Sequence, residues 1–355
     1  MKKLFLIILV FPFFVLAQIP AGYYNTAEGK TGASLKTALF GIVSDHTQRT
    51  YANLWTDFQT TDKRADGKVW DIYSNATDYT FVTNQCGNYK AEGDCYNREH
   101  SFPASWFSDG YPMYTDLFHL YPSDGYVNNR RGNYPFGETG SITYQSANGY
   151  CKLGNATATL GYSGIVFEPN NELKGDFART YFYMVTAYED RVAGWYSNVD
   201  ARPTINGTTY PAFTDWTINL LLRWHRQDPV SKKETDRNNA VYTIQNNRNP
   251  FIDYPELAEF IWGNSMGDAW YAVTGTANIT FSFNIVVRHN SLLAITDVEN
   301  LTYTLYNTAG QRLQNGKLPD NKEISLSGLP AGLYIIKLNN TDLQYVDKFF
   351  VSENF

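Results

Sequence analysis

The chain has 355 residues, a length that fits more than one domain, with 29 Lys and Arg against 35 Asp and Glu and a formal charge of −6. That balance argues against a protein that holds nucleic acid through a broad basic face. It leaves room for an enzyme that touches a phosphate briefly, through a metal and a few arginines.

Residues 1–17 read MKKLFLIILVFPFFVLA. Two lysines, an apolar run and the exit Val15-Leu16-Ala17 have the layout of a secretory signal peptide. The run is too short for a bilayer, which takes roughly 20 residues. No later stretch is long and apolar enough to cross. The expectation is export through the periplasm, with no integral membrane segment after signal removal.

Residues 18–277 read as one unit, rich in Tyr, Trp, Asn and Arg. Cys86 and Cys95 lie close together across QCGNYKAEGDCY, and in an exported chain a disulfide between them is expected. It would staple the loop just ahead of Glu99. Cys151 is left over as a partly buried free thiol. Three helices are predicted. In 176–190, Phe177, Tyr181, Met184, Val185 and Tyr188 recur at helical spacing. Thr214–Gln227 repeats the pattern with Trp216, Leu220, Leu221 and Trp224, and Asp228-Pro229 ends it. The third opens at Ser231, where Glu234 completes a capping-box pattern, and runs toward Gln245. Their aromatic stripes are read as core.

The chemistry concentrates in two stretches, Asn97-Arg98-Glu99-His100-Ser101 and TDLFHLYPSDGYVNNRRGNYPFGE at 115–138. Hydrolysing a phosphodiester needs a base for the attacking water, positive charge against the charge building on phosphorus, and a grip on the phosphate. His100 suits the first task, because an imidazole with a pKa of about 6.5 is mostly neutral in use. Glu99 and Asn128 suit a hard divalent cation, which wants oxygen ligands and keeps several waters when the protein supplies few. Adjacent strand residues project to opposite sides, so Glu99 and His100 can serve different tasks. Arginine fits phosphate bidentately; Arg131 is the favoured clamp, with Arg130 and Arg98 as weaker candidates. Taken singly, each has a bland reading: a surface His-Glu pair, turn asparagines, a solvated Arg-Arg face.

Jointly, residues from about Tyr96 to Glu138 resemble the endonuclease I family of secreted and periplasmic nucleases. NREHSFPASWF is similar to that family's Arg-Glu-His motif and DLFHLYPSDGYVNNRRGNYPFGE to its second motif. RNNAVYTIQNNRNPFIDYPELAEFIW, at 237–262, is similar to its C-terminal signature. The resemblance implies a ββα-metal (His-Me) finger with His100 as general base and Glu99 and Asn128 as ligands of one Mg²⁺, Ca²⁺ or Mn²⁺. It also implies cleavage of DNA, often RNA too, with little sequence preference and 5′-phosphate ends. Phe118 stands where many members carry His, with His119 one place later. His119 and Asp116 are therefore expected only as supports behind the site. Arg237, Asn238 and Arg248 in the third motif are read as structural, and Asn249-Pro250 as a turn.

Residues 278–355 change character. Alternation in ITFSFNIVV, LTYTLYN, GLYIIKL and YVDKFFV, with turns at Thr308-Ala309-Gly310 and Pro330-Ala331-Gly332, predicts a small β-sandwich. From Arg288 onward six basic residues face seven acidic ones, and no His-carboxylate cluster occurs. TLYNTAGQRL, SLSGLPAGLYIIKL and the terminal VDKFFV resemble the C-terminal sorting domain of type IX secretion substrates, which implies that machinery as a partner. The fold expected is α+β: a ββα-metal finger in a mixed helical core, then the sandwich. Two other readings were weighed from the residues: a polysaccharide-binding or adhesive surface protein, and a hydrolase of small phosphodiesters.

Overall fold

The computed structural model describes residues 19–272 and, beyond them, 284–288, 291–295, 301–308, 310–340 and 344–351. The expected signal peptide and the expected boundary at 277/278 lie outside the described residues. The chain divides into two compact units between Ala272 and Val273. The architecture is α+β.

The first unit opens with α1 (Gly32–Val43) and α2 (Leu54–Thr61). A two-stranded antiparallel pair follows, β1 (Tyr96–His100) and β2 (Leu120–Asp124), leading directly into α3 (Gly125–Arg131). A three-stranded antiparallel sheet comes next, β3 (Thr139–Gln145), β4 (Lys152–Ala156) and β5 (Ile165–Glu168). Helices α4 (Lys174–Ala187), α5 (Glu189–Trp195), α6 (Asp215–Gln227), α7 (Lys232–Gln245), α8 (Pro250–Asp253) and α9 (Leu257–Trp262) complete it.

The core is built around α4, in which every residue except Asp176 is buried. It packs against α6, α1 and α8. Trp262 stacks on Phe182 from α4 with ring centroids 4.8 Å apart, and Phe136 does the same to Phe177 at 4.5 Å. The aromatic stripes are therefore core. Arg179 on α4 is fully buried because Glu234, the capping-box residue of α7, takes its guanidinium as well as the Ser231 amide. One carboxylate thus ties the start of α7 to the central helix.

Two expectations are corrected here. The helix expected over 176–190 breaks at Tyr188, which leaves α-helical geometry and sends its hydroxyl to Asp116 at 2.6 Å. Asn249-Pro250 is a helix start rather than a turn: the Asn249 side chain accepts from the Phe251 amide, and proline fits the first helical position. Arg237, Asn238 and Arg248 are buried, holding Asp62, Asn249 and Asp253. Cys86 and Cys95 are bonded, and Cys151 is fully rather than partly buried, which pushes its thiol well up.

The second unit contains two antiparallel sheets. One has the order β10 (Glu323–Ser325), β7 (Ser291–Ile295), β6 (Asn284–Arg288). The other has the order β12 (Gln344–Val351), β11 (Gly332–Asn339), β8 (Thr302–Asn307), β9 (Arg312–Lys317). Leu292, Leu305, Ile324, Ile336 and Leu338 form its own apolar centre. Strands β7, β9 and β10 were not foreseen; β9 is a largely exposed edge strand with little alternation to read.

His225 on α6 supplies a pH test of this packing. Its Nε2 lies 2.9 Å from the Pro255 carbonyl, and burial beside Arg179 lowers its pKa to about 4. A folded value below the ordinary 6.5 favours the neutral form, so its stabilisation is present above pH 6.5 and lost as pH falls toward 4. We expect the unfolding free energy of the wild type to drop by about 2 kcal/mol relative to His225→Gln between pH 7 and pH 5, read by urea titration. An unchanged difference would show that His225 is not held neutral.

Candidate active site

Two periodicities meet in the ββα segment. Along β1, Asn97 and Glu99 share one face while Arg98 and His100 share the other. Along α3, Asn128 and Arg131 are three residues apart and share the helix face turned to β1. Asn128 Nδ2 donates to Asn97 Oδ1 at 2.7 Å, and Arg131 Nη1 donates to Glu99 Oε1 at 2.9 Å.

The start of α3 is fixed with equal care. Asp124 caps it by accepting from the Val127 amide at 2.8 Å, while its second oxygen accepts from Tyr79 and from the Gly93 amide. Gly125 donates to the Cys95 carbonyl, and a Cβ at Gly125 would lie 2.5 Å from Cys86 Sγ. The disulfide loop therefore seats against α3 only because residue 125 has no side chain.

Glu99 is 3 % exposed. Both described hydrogen bonds to its carboxylate reach Oε1, from Tyr73 Oη at 2.7 Å and from Arg131. Burial raises its pKa above the ordinary carboxyl value, while Arg131, Tyr73 and Asn128 pull the other way. A carboxylate so desolvated gains from a cation beside it. Asn128 adds a neutral amide oxygen, and the pair makes an all-oxygen donor set with the hardness a Mg²⁺-type ion prefers. Among the described residues no group of three or more His, Cys, Asp or Glu is placed to hold a metal. A site on Glu99 and Asn128 would thus complete its shell with water, and the open cleft there, about 370 Å³, gives room for it.

His100 occupies the opposite face. Its Nε2 lies 3.0 Å from the Tyr114 carbonyl. A carbonyl only accepts, so that contact puts the proton on Nε2 and leaves the lone pair on Nδ1. Tyr114 stacks on the ring at 4.8 Å and Tyr51 lies behind, 4.8 Å from Tyr114. Burial and the neighbouring His119 lower His100 to about 3, which keeps it neutral. Arg98 sits 3.5 Å over Tyr51 and 4.2 Å over Trp55, donating Nη1 to the Tyr51 carbonyl.

Arg98, Glu99, His100, Asn128 and Arg131 line one cleft, with Asn97, Ser105, Asp109 and Asn133. Arg131 is 1 % exposed, and its described hydrogen bonds go to Glu99, the His100 carbonyl and the Ser101 carbonyl. Arg130 is exposed on Tyr126 and Tyr144, outside the lining of this cleft. His119 is fully buried, 5.4 Å from the His100 ring, with Nε2 on the Met113 carbonyl. Asp116 is fully buried and accepts from Tyr183, Tyr188 and Gln245. Tyr73, Tyr114, Tyr51 and Asn97 were not foreseen; only Asn97 stands inside a quoted motif.

The family model described as Endonuclease I matches residues 31–256, well over half of the chain. The chain belongs to the endonuclease I family. Residues 274–352 match the model described as a secretion system C-terminal sorting domain. An extracellular ribonuclease of Bacillus subtilis (strain 168) is 37 % identical over 245 residues, covering 68 % of this chain and 78 % of that protein. An extracellular ribonuclease of Bacillus amyloliquefaciens is 35 % identical over 248 residues, with the same coverage. An extracellular deoxyribonuclease of Aeromonas hydrophila is 27 % identical over 142 residues, 40 % of this chain and 50 % of that protein. This endonuclease I family member is a secreted nuclease, and no described helix is long and apolar enough to cross a membrane.

The Arg131–Glu99 pair generates a test. Removing one partner of a buried ion pair leaves the other charge stranded, at a cost of about 3–5 kcal/mol. Arg131→Ala should lose that much stability in chemical denaturation while Arg130→Ala loses almost none. Equal stability of the two variants would show that Arg131 does not anchor Glu99.

Proposed function

We propose that this secreted nuclease is a metal-dependent endonuclease that hydrolyses phosphodiester bonds of DNA and RNA with little sequence preference. One observation carries the reading: the two faces of β1 deliver a buried carboxylate with its amide neighbour, and a tautomer-fixed imidazole, to the same cleft. Glu99 and Asn128 would hold one ion of the Mg²⁺ type, with Ca²⁺ and Mn²⁺ as alternatives. Bound there, the ion would supply Lewis-acid stabilisation of the charge that builds on the phosphoryl and leaving oxygens.

The rest falls to the chain. Nδ1 of His100 takes the proton from the attacking water, while Nε2–H stays on the Tyr114 carbonyl and keeps the ring from turning. Arg131 holds Glu99 through Oε1, so Oε2 is left for the cation side. Arg98 is the guanidinium best placed to meet a phosphate oxygen, because it lines the cleft and is only half-buried. Attack in line with the 3′-oxygen breaks its bond to phosphorus and leaves the phosphate on the 5′ side. Contacts to phosphate and sugar carry no base information, which accounts for low sequence preference. The C-terminal unit would deliver the enzyme to the type IX secretion machinery.

Supercoiled plasmid tests the reading. Nicking should require Mg²⁺, stop with EDTA and return on adding the ion back. A positioned general base is worth roughly 10²–10⁴-fold, so His100→Ala should fall by that factor with its thermal unfolding unchanged. Nicking that survives EDTA, or a His100→Ala protein as fast as wild type, would sink it.

A further inference from the structure

A second pocket, about 480 Å³ and within the size range of small-molecule sites, opens beside the cleft. The two are continuous, since Gly132 and Asn133 line both. Their far walls are tied as well. Asn198 Nδ2 donates to the carbonyl of Ser105 in the cleft at 2.6 Å, and Asn198 Oδ1 accepts from the amide of Asp200 in the pocket at 2.9 Å. What fills this pocket lies next to whatever the cleft is cutting.

Its lining is chemically distinct. Tyr162 stacks against Trp216 with centroids 4.7 Å apart and planes 9° off parallel. Trp216 is itself fixed by its indole N–H on the Pro203 carbonyl at 2.6 Å. One face of Tyr162 is thus braced, and the ring lines the pocket as a rigid platform. Tyr134, Ile165 and Val199, all substantially exposed, add a second flat aromatic and two apolar surfaces. Among the described residues that line it none is Lys or Arg, and the charged one is Asp200. Such a pocket repels phosphate and offers a carboxylate to N–H donors.

We propose that this pocket is a base subsite, taking the nucleobase next to the scissile phosphate, with guanine as the best occupant. The base stacks on Tyr162 while Asp200 accepts from its edge. Guanine alone presents two adjacent N–H donors there, N1–H and the 2-amino group, a match for both oxygens of a carboxylate. That edge is exposed only when the base is unpaired, so the pocket favours single strands over duplex. The inference rests on the nuclease reading of the neighbouring cleft, whose phosphate it complements.

Cleavage and binding are measured with a nine-nucleotide strand carrying one guanine in a uridine background, its all-uridine counterpart, their DNA equivalents and the matching duplexes. Wild type should cut beside the guanine, and the ratio of kcat/KM for single strand over duplex should fall roughly tenfold in Tyr162→Ala. Tyr162→Phe, which keeps the ring, should hold the ratio. Asp200→Asn should erase the preference for the guanine strand over the all-uridine one. Anisotropy of the labelled strands in EDTA should show the same loss of binding for Tyr162→Ala, with no cleavage needed. If wild type nicks plasmid but both variants keep the wild-type ratios, the subsite is overturned and the nuclease reading stands. If wild type cuts nothing, the nuclease reading fails, and the anisotropy still decides the subsite. Equal affinities for guanine and all-uridine strands, or a tryptophan-fluorescence response to a soluble oligosaccharide and none to the strands, would overturn it. RNA and DNA arms show whether the sugar matters.

Discussion

The carboxylate of Glu99, held by Arg131 and Tyr73 on a single oxygen, is the interaction from which the rest of the site follows. A buried carboxylate unpaired would cost several kcal/mol. Arg131 meets that cost and, in the same act, joins α3 to β1 and fixes the Glu99 rotamer. The second oxygen is left for a ligand. An arginine that looks like a substrate clamp in the sequence thus becomes the support for the ligand-bearing residue.

The other side of β1 follows a different logic. Here the need is for a neutral, correctly protonated ring, and the protein meets it with aromatics and one carbonyl. Tyr114 supplies both: its ring stacks on His100 and its main-chain oxygen sets the tautomer. Behind it, Tyr51 is sandwiched between Tyr114 and Arg98, so the base and the guanidinium share one rigid layer. Asp116 and the buried network around it stabilise the segment that carries Tyr114. A strand with a two-residue period is the element that can serve two such different environments four bonds apart.

Much of this was legible in the residues. Glu99, His100 and Asn128 stood out because their types fit the chemistry and their spacing fits one motif. Ser231 with Glu234, and Asp228-Pro229, mark helix ends through local hydrogen bonding that sequence records directly. What escaped detection depends on distance. Tyr73 and Tyr51 reach the site from loops far upstream, and no local period announces them. Tyr188 breaks a helix without Gly or Pro, its hydroxyl drawn to Asp116, a residue 72 positions away. Arg131 showed its charge but not its direction, which only the packing of α3 on β1 supplies. Helix α1, with Gly32 and Gly41, lacks a strong stripe and was passed over.

The central claim is that one cation binds at Glu99 and Asn128, separately from the base that works beside it. Mn²⁺ binding followed by electron paramagnetic resonance tests this without any cleavage. The account predicts one bound ion per molecule for wild type and for His100→Ala, and a loss of at least tenfold in affinity for Glu99→Gln and Asn128→Ala. Undiminished binding in both ligand variants, or binding that depends on His100 instead, would contradict it.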